Sequence, residues 1–481
     1  MITRELMAPL MFGGLITFML IGYPVAFSLG AVGLFFGIIG IELGFFTPAL
    51  LQALPDRVFG ILSNDLLLLS IPFFTFMGAI LERCGLAEDL LEGTGQLFGP
   101  VRGGLAYAVI LVGALLGAIT GTVAASVIAM GLISLPVMMR YGYNMRLGTG
   151  VIAASGTITQ LIPPSLVLIV LADQLGKSVG DMYAGAIGPS IVQILLFCGF
   201  IFLVSIFKPA HMPALPPEAR TQRGWPLIRR VLWGMVPSLV LIFMVLGTIL
   251  MGLATPTEGG AMGAVGALVL AALHKRLTLN LLWQSLDSTL RLTAMVIFIL
   301  IGSTVFGLVF RGVDGDLWIE NMLLALPGGQ TGFLIAVAAF VFFLAFFLDY
   351  FEIAFIVIPL LAPVADKLGI DLIWFGVLLG AVLQTSFMHP PFGFALFYLR
   401  GVAPKEVKSS DIYWGAVPWV GLQLLLVAII ILWPGLVTGF LDRPQAAGSA
   451  PVETSAPADP GAPPPQQTDD SLEIEKLYKS R

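Results

Sequence analysis

Charged side chains are scarce in this chain of 481 residues: Asp, Glu, Lys and Arg make up 11% of it, against about a quarter in a soluble domain. With 58% hydrophobic residues and a mean hydropathy of +0.97, a water-soluble globule is excluded. Cysteine is nearly absent. Cys84 and Cys198 lie in or beside apolar segments with no partner pattern, so neither a disulfide framework nor a thiolate metal site is expected. The start Met1-Ile2-Thr3-Arg4-Glu5 lacks a clear basic region and cleavage site, and the first apolar segment reads as retained. Catalytic signatures are missing too. There is no His-Glu-x-x-His, no pair of intramembrane protease aspartates, no plausible Ser–His pair and no P-loop, which disfavours an intramembrane enzyme or a primary pump.

What remains is largely apolar run. Stretches near 8–22, 25–40, 66–81, 183–207, 231–250, 256–273, 293–310 and 414–440 approach or exceed the roughly 20 residues of a spanning helix. Interrupted stretches at 147–174 and 372–399 bring the total to about ten spans. An all-α polytopic membrane protein is expected.

Two stretches break these runs with glycine, proline and hydroxyls: residues 117–122, Gly-Ala-Ile-Thr-Gly-Thr, and residues 155–165, Ser-Gly-Thr-Ile-Thr-Gln-Leu-Ile-Pro-Pro-Ser. A shift of 227 residues without a gap carries Pro136, Gly142, Pro163 and Pro164 onto Pro363, Gly369, Pro390 and Pro391. Gly30-Ala31-Val32-Gly33 likewise recurs as Gly263-Ala264-Val265-Gly266, each a few residues after Pro24 or Pro256. Proline and glycine record backbone geometry. The echoes therefore point to two repeats, 1–207 and 231–440, joined by a basic linker at 208–230. The tail 443–481, rich in Pro, Ala, Gln and Ser, reads as a disordered periplasmic extension.

Charge sets the expected topology. The linker carries Lys208, Arg220, Arg223, Arg229 and Arg230 against Glu218 alone, which places it in the cytoplasm. Counting back, Arg102 and Arg140 share one side, so segments 105–119 and 122–138 enter from the cytoplasm and return to it. Their 15 to 17 residues reach about 22–26 Å, short of a hydrocarbon core of about 30 Å. A re-entrant hairpin over 105–138 with its tip at Thr120-Gly121-Thr122 is expected, followed by a discontinuous helix at 147–174. Counting forward, a second hairpin at 332–366 enters from the opposite side, with Glu320, Asp366 and Asp371 at its mouth. A second discontinuous helix follows at 372–399. Inverted repeats with paired hairpins and broken helices are a signature of secondary transporters, whose site lies near the midplane at the repeat interface.

A proline removes its own N–H, so Pro163 and Pro164 are expected to free the carbonyls of Thr159 and Gln160. Pro390 and Pro391 would free those of Ser386 and Phe387. Oxygens at membrane depth line a cavity or bind something, and helix C-termini add partial negative charge. Two sodium sites are expected. One lies between Thr120-Gly121-Thr122 and the break with Gly156, Thr157, Thr159 and Gln160. The other lies between Leu348-Asp349 and Gln384, Thr385, Ser386 and Met388. Ser126, Ser165, Tyr350 and His389 are candidates for contact with substrate.

Plainer roles compete with these. The prolines are alternatively kinks satisfied by neighbouring helices and water. Thr255-Pro256-Thr257-Glu258 has the form of a capping box, and Asp349-Tyr350-Phe351-Glu352 fits the same form, which leaves Asp349 as ligand or cap. His389 either donates to a substrate carboxylate or satisfies a carbonyl, whereas His211 and His274 read as solvated. The run Phe342, Phe343, Phe346, Phe347, Tyr350 and Phe351 reads as lipid-facing or core-filling. No catalytic residue, no cofactor and no metal beyond sodium is expected.

Five stretches carry a family resemblance: Ser70-Ile71-Pro72-Phe73-Phe74, Thr120-Gly121-Thr122, Ile162-Pro163-Pro164-Ser165, Ala254-Thr255-Pro256-Thr257-Glu258 and Pro390-Pro391-Phe392-Gly393. Over about residues 5–440 the chain resembles the large membrane subunit of the tripartite ATP-independent periplasmic (TRAP) transporters, which usually have Ser-Gly-Ser at the first tip. The resemblance implies a sodium-driven elevator in the bacterial inner membrane, with hairpins and broken helices sliding against a scaffold of outer helices. It also implies two partners, a small four-helix membrane subunit and a soluble periplasmic substrate-binding protein, besides the lipid bilayer and an organic acid substrate, with no nucleic acid. Many members read Met-Asp-Pro-Thr at the second tip and Thr-Pro-Pro-Val-Gly at the second break. This chain has Leu348-Asp349-Tyr350-Phe351 and His389-Pro390-Pro391-Phe392-Gly393 instead. That pattern resembles the branch handling 2-oxo acids and related monocarboxylates rather than C4-dicarboxylates or sialic acid. The expected function is sodium-coupled import of a small organic anion delivered by a binding protein. The alternative is a self-sufficient sodium–anion symporter of similar fold.

Overall fold

A computed structural model of the protein describes residues 3–120, 122–220, 224–390 and 393–441. The tail expected over 443–481 lies outside the described residues, as do Gly121 and Pro391. Regular structure among the described residues is entirely helical. The N-terminal part contains α1 (Arg4–Ile21), α2 (Val25–Glu42), α3 (Ala49–Gln52), α4 (Leu54–Leu62), α5 (Asp65–Arg83) and α6 (Leu86–Phe98). Next come α7 (Gly104–Thr120), α8 (Val123–Arg140), α9 (Met145–Thr157), α10 (Leu166–Gln174) and α11 (Val179–Phe207). Then follow α12 (Trp225–Leu250), α13 (Pro256–Leu273), α14 (Leu279–Gly312), α15 (Gly315–Leu324), α16 (Gly329–Leu344), α17 (Tyr350–Ile356) and α18 (Ile358–Lys367). The chain ends in α19 (Leu372–Leu383), α20 (Phe394–Val402), α21 (Ser409–Leu432) and α22 (Gly435–Thr438).

Eight of these helices, α2, α5, α8, α11, α12, α13, α14 and α21, are long and apolar enough to cross a membrane. A ninth results if α15 and α16, bent by 119° at their junction, count as one. The helix α8, read from the sequence as a hairpin arm, meets this test itself, although its 18 residues reach only about 27 Å. The helix α14 is longer than its apolar run. It has 34 residues, about 51 Å, and starts well before the expected boundary at 293. Its first turns carry the exposed Asp287–Arg291 ion pair at 2.7 Å, which hides them from a hydropathy window. The linker is likewise shorter than the expected 208–230. The chain turns at Gly224 (φ 67°), and Arg229 and Arg230 already lie in α12, with Arg230 2.8 Å from Glu92.

Local geometry recurs at the 227-residue shift. Gly142 and Gly369 both adopt left-handed backbone, φ 77° and 69°, a conformation glycine takes without the usual Cβ clash. Each ends a helix the same way. The amides of Gly142 and Tyr143 bond the carbonyls of Met139 and Met138, and those of Gly369 and Ile370 bond Asp366 and Ala365. The next helix is then capped in the same manner: the Asn144 side chain accepts from Arg146 and Leu147, that of Asp371 from Ile373 and Trp374. Both helices, α9 and α19, run into a short 3-10 turn, at Ile158–Gln160 and Gln384–Phe387.

Two of the motifs named above meet in space. The helices α5 and α13 pack together, with the Ser70 and Thr257 hydroxyls 3.2 Å apart. Gly260 lets them approach, since a Cβ there would lie 3.0 Å from Phe73 Cβ. The capping box that starts α13 is complete: Glu258 N–H donates to Thr255 Oγ1 at 3.2 Å, and Thr255 N–H to Glu258 Oε2 at 2.8 Å.

Candidate functional site

The first break begins where α9 gives way to its 3-10 turn. Leu161 and Ile162 N–H groups both donate to the Ile158 carbonyl, which tightens the end of the helix before Pro163 is reached. The prolines therefore do not interrupt a running helix. Pro163 and Pro164 are buried in the connection that leads to α10. The Gln160 carbonyl, expected to be free, accepts the Ser165 hydroxyl at 2.6 Å. Ser165 Oγ in turn accepts from Val167 N–H and caps α10. That side chain, a substrate candidate by sequence, serves the backbone on both sides of the break.

Side chains at this break are buried and sparsely bonded. Thr157 Oγ1 donates to the Ala154 carbonyl at 2.8 Å, and Ser155 Oγ, Thr159 Oγ1 and Gln160 Oε1 make no hydrogen bond among the described residues. Buried polar atoms are normally paired. The helix α7 lies directly against them: a Cβ on Gly113 would sit 2.7 Å from Ser155 Cβ, and one on Gly117 2.8 Å from Thr159 Cα. The helix α8 meets the break through Val127, which would collide with any side chain on Gly156. Thr122 opens α8 in extended backbone, φ −123° and ψ 131°, and Ser126 is buried one turn on. Thr120 is the last residue of α7, and Gly121 lies outside the described residues.

At the second break Gln384, Thr385 and Met388 are fully buried, and Ser386 nearly so. Thr385 Oγ1 donates to the Val382 carbonyl at 2.6 Å, whereas Ser386 Oγ has no partner among the described residues. Here too the helix ends before the prolines, and Gly393 N–H closes the turn on the His389 carbonyl at 2.6 Å. The expected second tip is a helix start. Asp349 Oδ1 accepts from Glu352 N–H at 2.9 Å, and Glu352 Oε2 accepts from Asp349 N–H at 3.0 Å, so Asp349 caps α17. Leu348 precedes it, buried, and Tyr350 packs on Phe351 with ring centroids 3.9 Å apart. The aromatic run divides by face. Phe342 and Phe346 hold the buried His389 ring, at 4.3 and 4.2 Å between centroids, whereas Phe343 and Phe347 are exposed.

Two amides that sequence reasoning passed over complete the arrangement. Gln193 on α11 donates to Gln384 Oε1 at 2.8 Å, and Gln423 on α21 donates to Thr157 Oγ1 at 2.9 Å. A lone glutamine inside an otherwise apolar span was the available signal. The 3-10 turn at Gln384–Phe387 also packs on α9 and α21, which brings the two breaks into one region. A separate cavity of about 470 Å³ is lined by Asn64, Asp173, Ser303, Phe355 and two arginines, Arg57 and Arg311.

Comparison with known proteins adds a family match. Residues 12–436 match the model of the tripartite ATP-independent periplasmic transporter, DctM component. The chain is 32% identical over 390 residues to the C4-dicarboxylate TRAP transporter large permease protein DctM of Pseudomonas aeruginosa, covering 80% of this chain and 88% of that one. It is 26% identical to the 2,3-diketo-L-gulonate TRAP transporter large permease protein YiaN of Escherichia coli, covering 77% and 85%. Among solved structures, the Alcanivorax borkumensis YdaH transporter superposes with a TM-score of 0.57 at 15% identity, covering 80% of this chain and 88% of that one. Neisseria gonorrhoeae MtrF gives 0.51 at 14% identity, covering 82% and 84%. At such identities the likeness concerns the fold alone.

Proposed function

The chain belongs to the DctM family of tripartite ATP-independent periplasmic transporters, and from that premise we propose that it couples sodium entry to the import of a small organic anion. It is a large permease subunit and a multi-pass protein of the bacterial inner membrane. As a member of a tripartite system it performs secondary transport of organic acids with a periplasmic binding protein and a small membrane subunit.

The observation that carries the sodium reading is the set of oxygens at the two breaks that have no partner among the described residues: Thr159 Oγ1, Gln160 Oε1 and Ser386 Oγ, all buried. An orphaned hydroxyl at membrane depth costs free energy unless something with positive charge or a donor faces it. A hard monovalent cation suits neutral oxygens supplied by hydroxyls, amides and 3-10 carbonyls. In this reading Gly156, Thr157, Thr159 and Gln160 with the first tip hold one ion, and Gln384, Thr385, Ser386 and Met388 with the second hold another. Each ion moving down 100 mV supplies about 2.3 kcal/mol.

The cargo in this reading is a monocarboxylate such as a 2-oxo acid. His389 between its two phenyl rings and Tyr350 at the start of α17 are the polar groups assigned to it. The test is uptake into proteoliposomes under an imposed sodium gradient, with and without the small subunit and the binding protein. Uptake of a 2-oxo acid only when all three proteins and sodium are present is expected. Uptake by this chain alone would instead favour a self-sufficient symporter, and uptake indifferent to sodium would remove the ion assignment.

A further inference from the structure

The helices α11 and α21 each carry one glutamine deep inside, at the same distance from their starts at Val179 and Ser409. Both side chains are fully buried. The atoms they bond, Gln384 Oε1 and Thr157 Oγ1, stand at positions related by the 227-residue shift. The pattern is reciprocal. The long helix α11, which comes after the first break and α10, holds the second break, and α21, which comes after the second break and α20, holds the first.

Donor and acceptor roles at Thr157 are decided by its neighbours. Its hydroxyl proton is committed to the Ala154 carbonyl at 2.8 Å, so the oxygen can only accept from Gln423, and the amide must present nitrogen. The amide oxygens left over, Gln193 Oε1 and Gln423 Oε1, are buried with no partner among the described residues. A methionine or leucine would fill the same space without that desolvation cost. The glutamines are therefore not explained by packing.

We propose that Gln193 and Gln423 are positioning residues, a crossed pair of clamps through which each half of the chain holds the break of the other. The proposal rests on the two-repeat, two-ion reading given above. Its consequence is that the breaks cannot loosen independently. An ion ordering Thr157 and Thr159 also steadies Gln423 on α21, which packs on the second break, so occupancy at one break favours occupancy at the other.

Hydrogen exchange of the full chain in nanodiscs tests the clamps without any transport assay. With Gln423→Met, amide exchange over 154–161 rises by about 3- to 18-fold, the range corresponding to a buried interhelical hydrogen bond in membranes, and 383–388 changes less. With Gln193→Met the pattern inverts, rising over 383–388. Thr157→Val cuts the first clamp from its other end and should reproduce the Gln423→Met pattern, with the double variant adding nothing further. Increases confined to α11 or α21 themselves, or equal at both breaks, overturn the proposal. Sodium-driven uptake forms the second arm: each methionine variant should lower the Hill coefficient for sodium toward one. A wild-type chain without sodium dependence would defeat the ion reading, and the crossed exchange pattern would still decide the clamps.

Discussion

Gly117→Ala is the sharpest perturbation of the first break. The helix α7 lies against the 3-10 turn there, and an added Cβ would meet Thr159 Cα at 2.8 Å, Cγ2 at 3.1 Å and Cβ at 3.3 Å. Carbon atoms at ordinary contact stand about 3.5–4.0 Å apart, so arm and turn must separate by roughly 0.7–1.2 Å. Because the nearest atom is backbone, rotating a side chain cannot relieve the clash. Overpacking of this kind costs about 1–3 kcal/mol, offset by about 0.5–1 kcal/mol because alanine favours the helix over glycine. The net cost of about 0–2.5 kcal/mol leaves a protein with a stability of 5–15 kcal/mol folded. Most of the displacement falls on Thr159, whose hydroxyl is one of the unpaired oxygens. If one or two kcal/mol of that cost is expressed at the ion site, the sodium concentration for half-maximal uptake rises about 5- to 30-fold. Gly199→Ala on α11 has nothing within 4 Å of its added Cβ and serves as the control. The measurement is uptake against sodium concentration in proteoliposomes, with thermal stability recorded in parallel. A Gly117→Ala protein that is folded and shows the wild-type sodium curve would refute the argument.

Replacing Pro163-Pro164 or Pro390-Pro391 with Ala-Ala should loosen the connection that follows each 3-10 turn, giving a protein that inserts and folds but loses sodium-driven uptake; near-normal uptake would end the ion role of that break. Cysteines placed at Arg102 or Arg140 should label from the cytoplasm and one at Asp366 from the periplasm, and labelling of both mouths from one side would exclude an inverted pair. Thr255→Ala breaks the capping box of α13 and should cost about 0.5–2 kcal/mol of stability while leaving the sodium curve unchanged; a shifted curve would place that cap in the transport step. Ser386→Ala removes an unpaired oxygen and should leave stability unchanged or slightly higher while raising the sodium half-saturation, and an unaltered curve would take Ser386 off the second site.

Helical, membrane-embedded architecture could be read from the chain because it follows from local quantities. Runs of apolar side chains decide burial in lipid, and 11% charge leaves no water-facing alternative. The left-handed glycines at 142 and 369 and the caps at Asn144 and Asp371 are local as well, since each satisfies backbone groups within a few residues. Polar residues near the prolines were likewise legible as unusual in an apolar run.

Partnership was not legible. That Gln160 lends its carbonyl to Ser165 and that α9 stops several residues before Pro163 depend on how the backbone closes in three dimensions. The bonds from Gln193 to Gln384 and from Gln423 to Thr157 join residues 191 and 266 positions apart. No periodicity encodes such a pair, because a side-chain hydrogen bond acts over about 3 Å whatever the intervening chain length. Gly117 shows the same division. Its lack of a side chain is visible in the sequence, but only the packing of α7 on the 3-10 turn reveals that Thr159 occupies the space a Cβ would need.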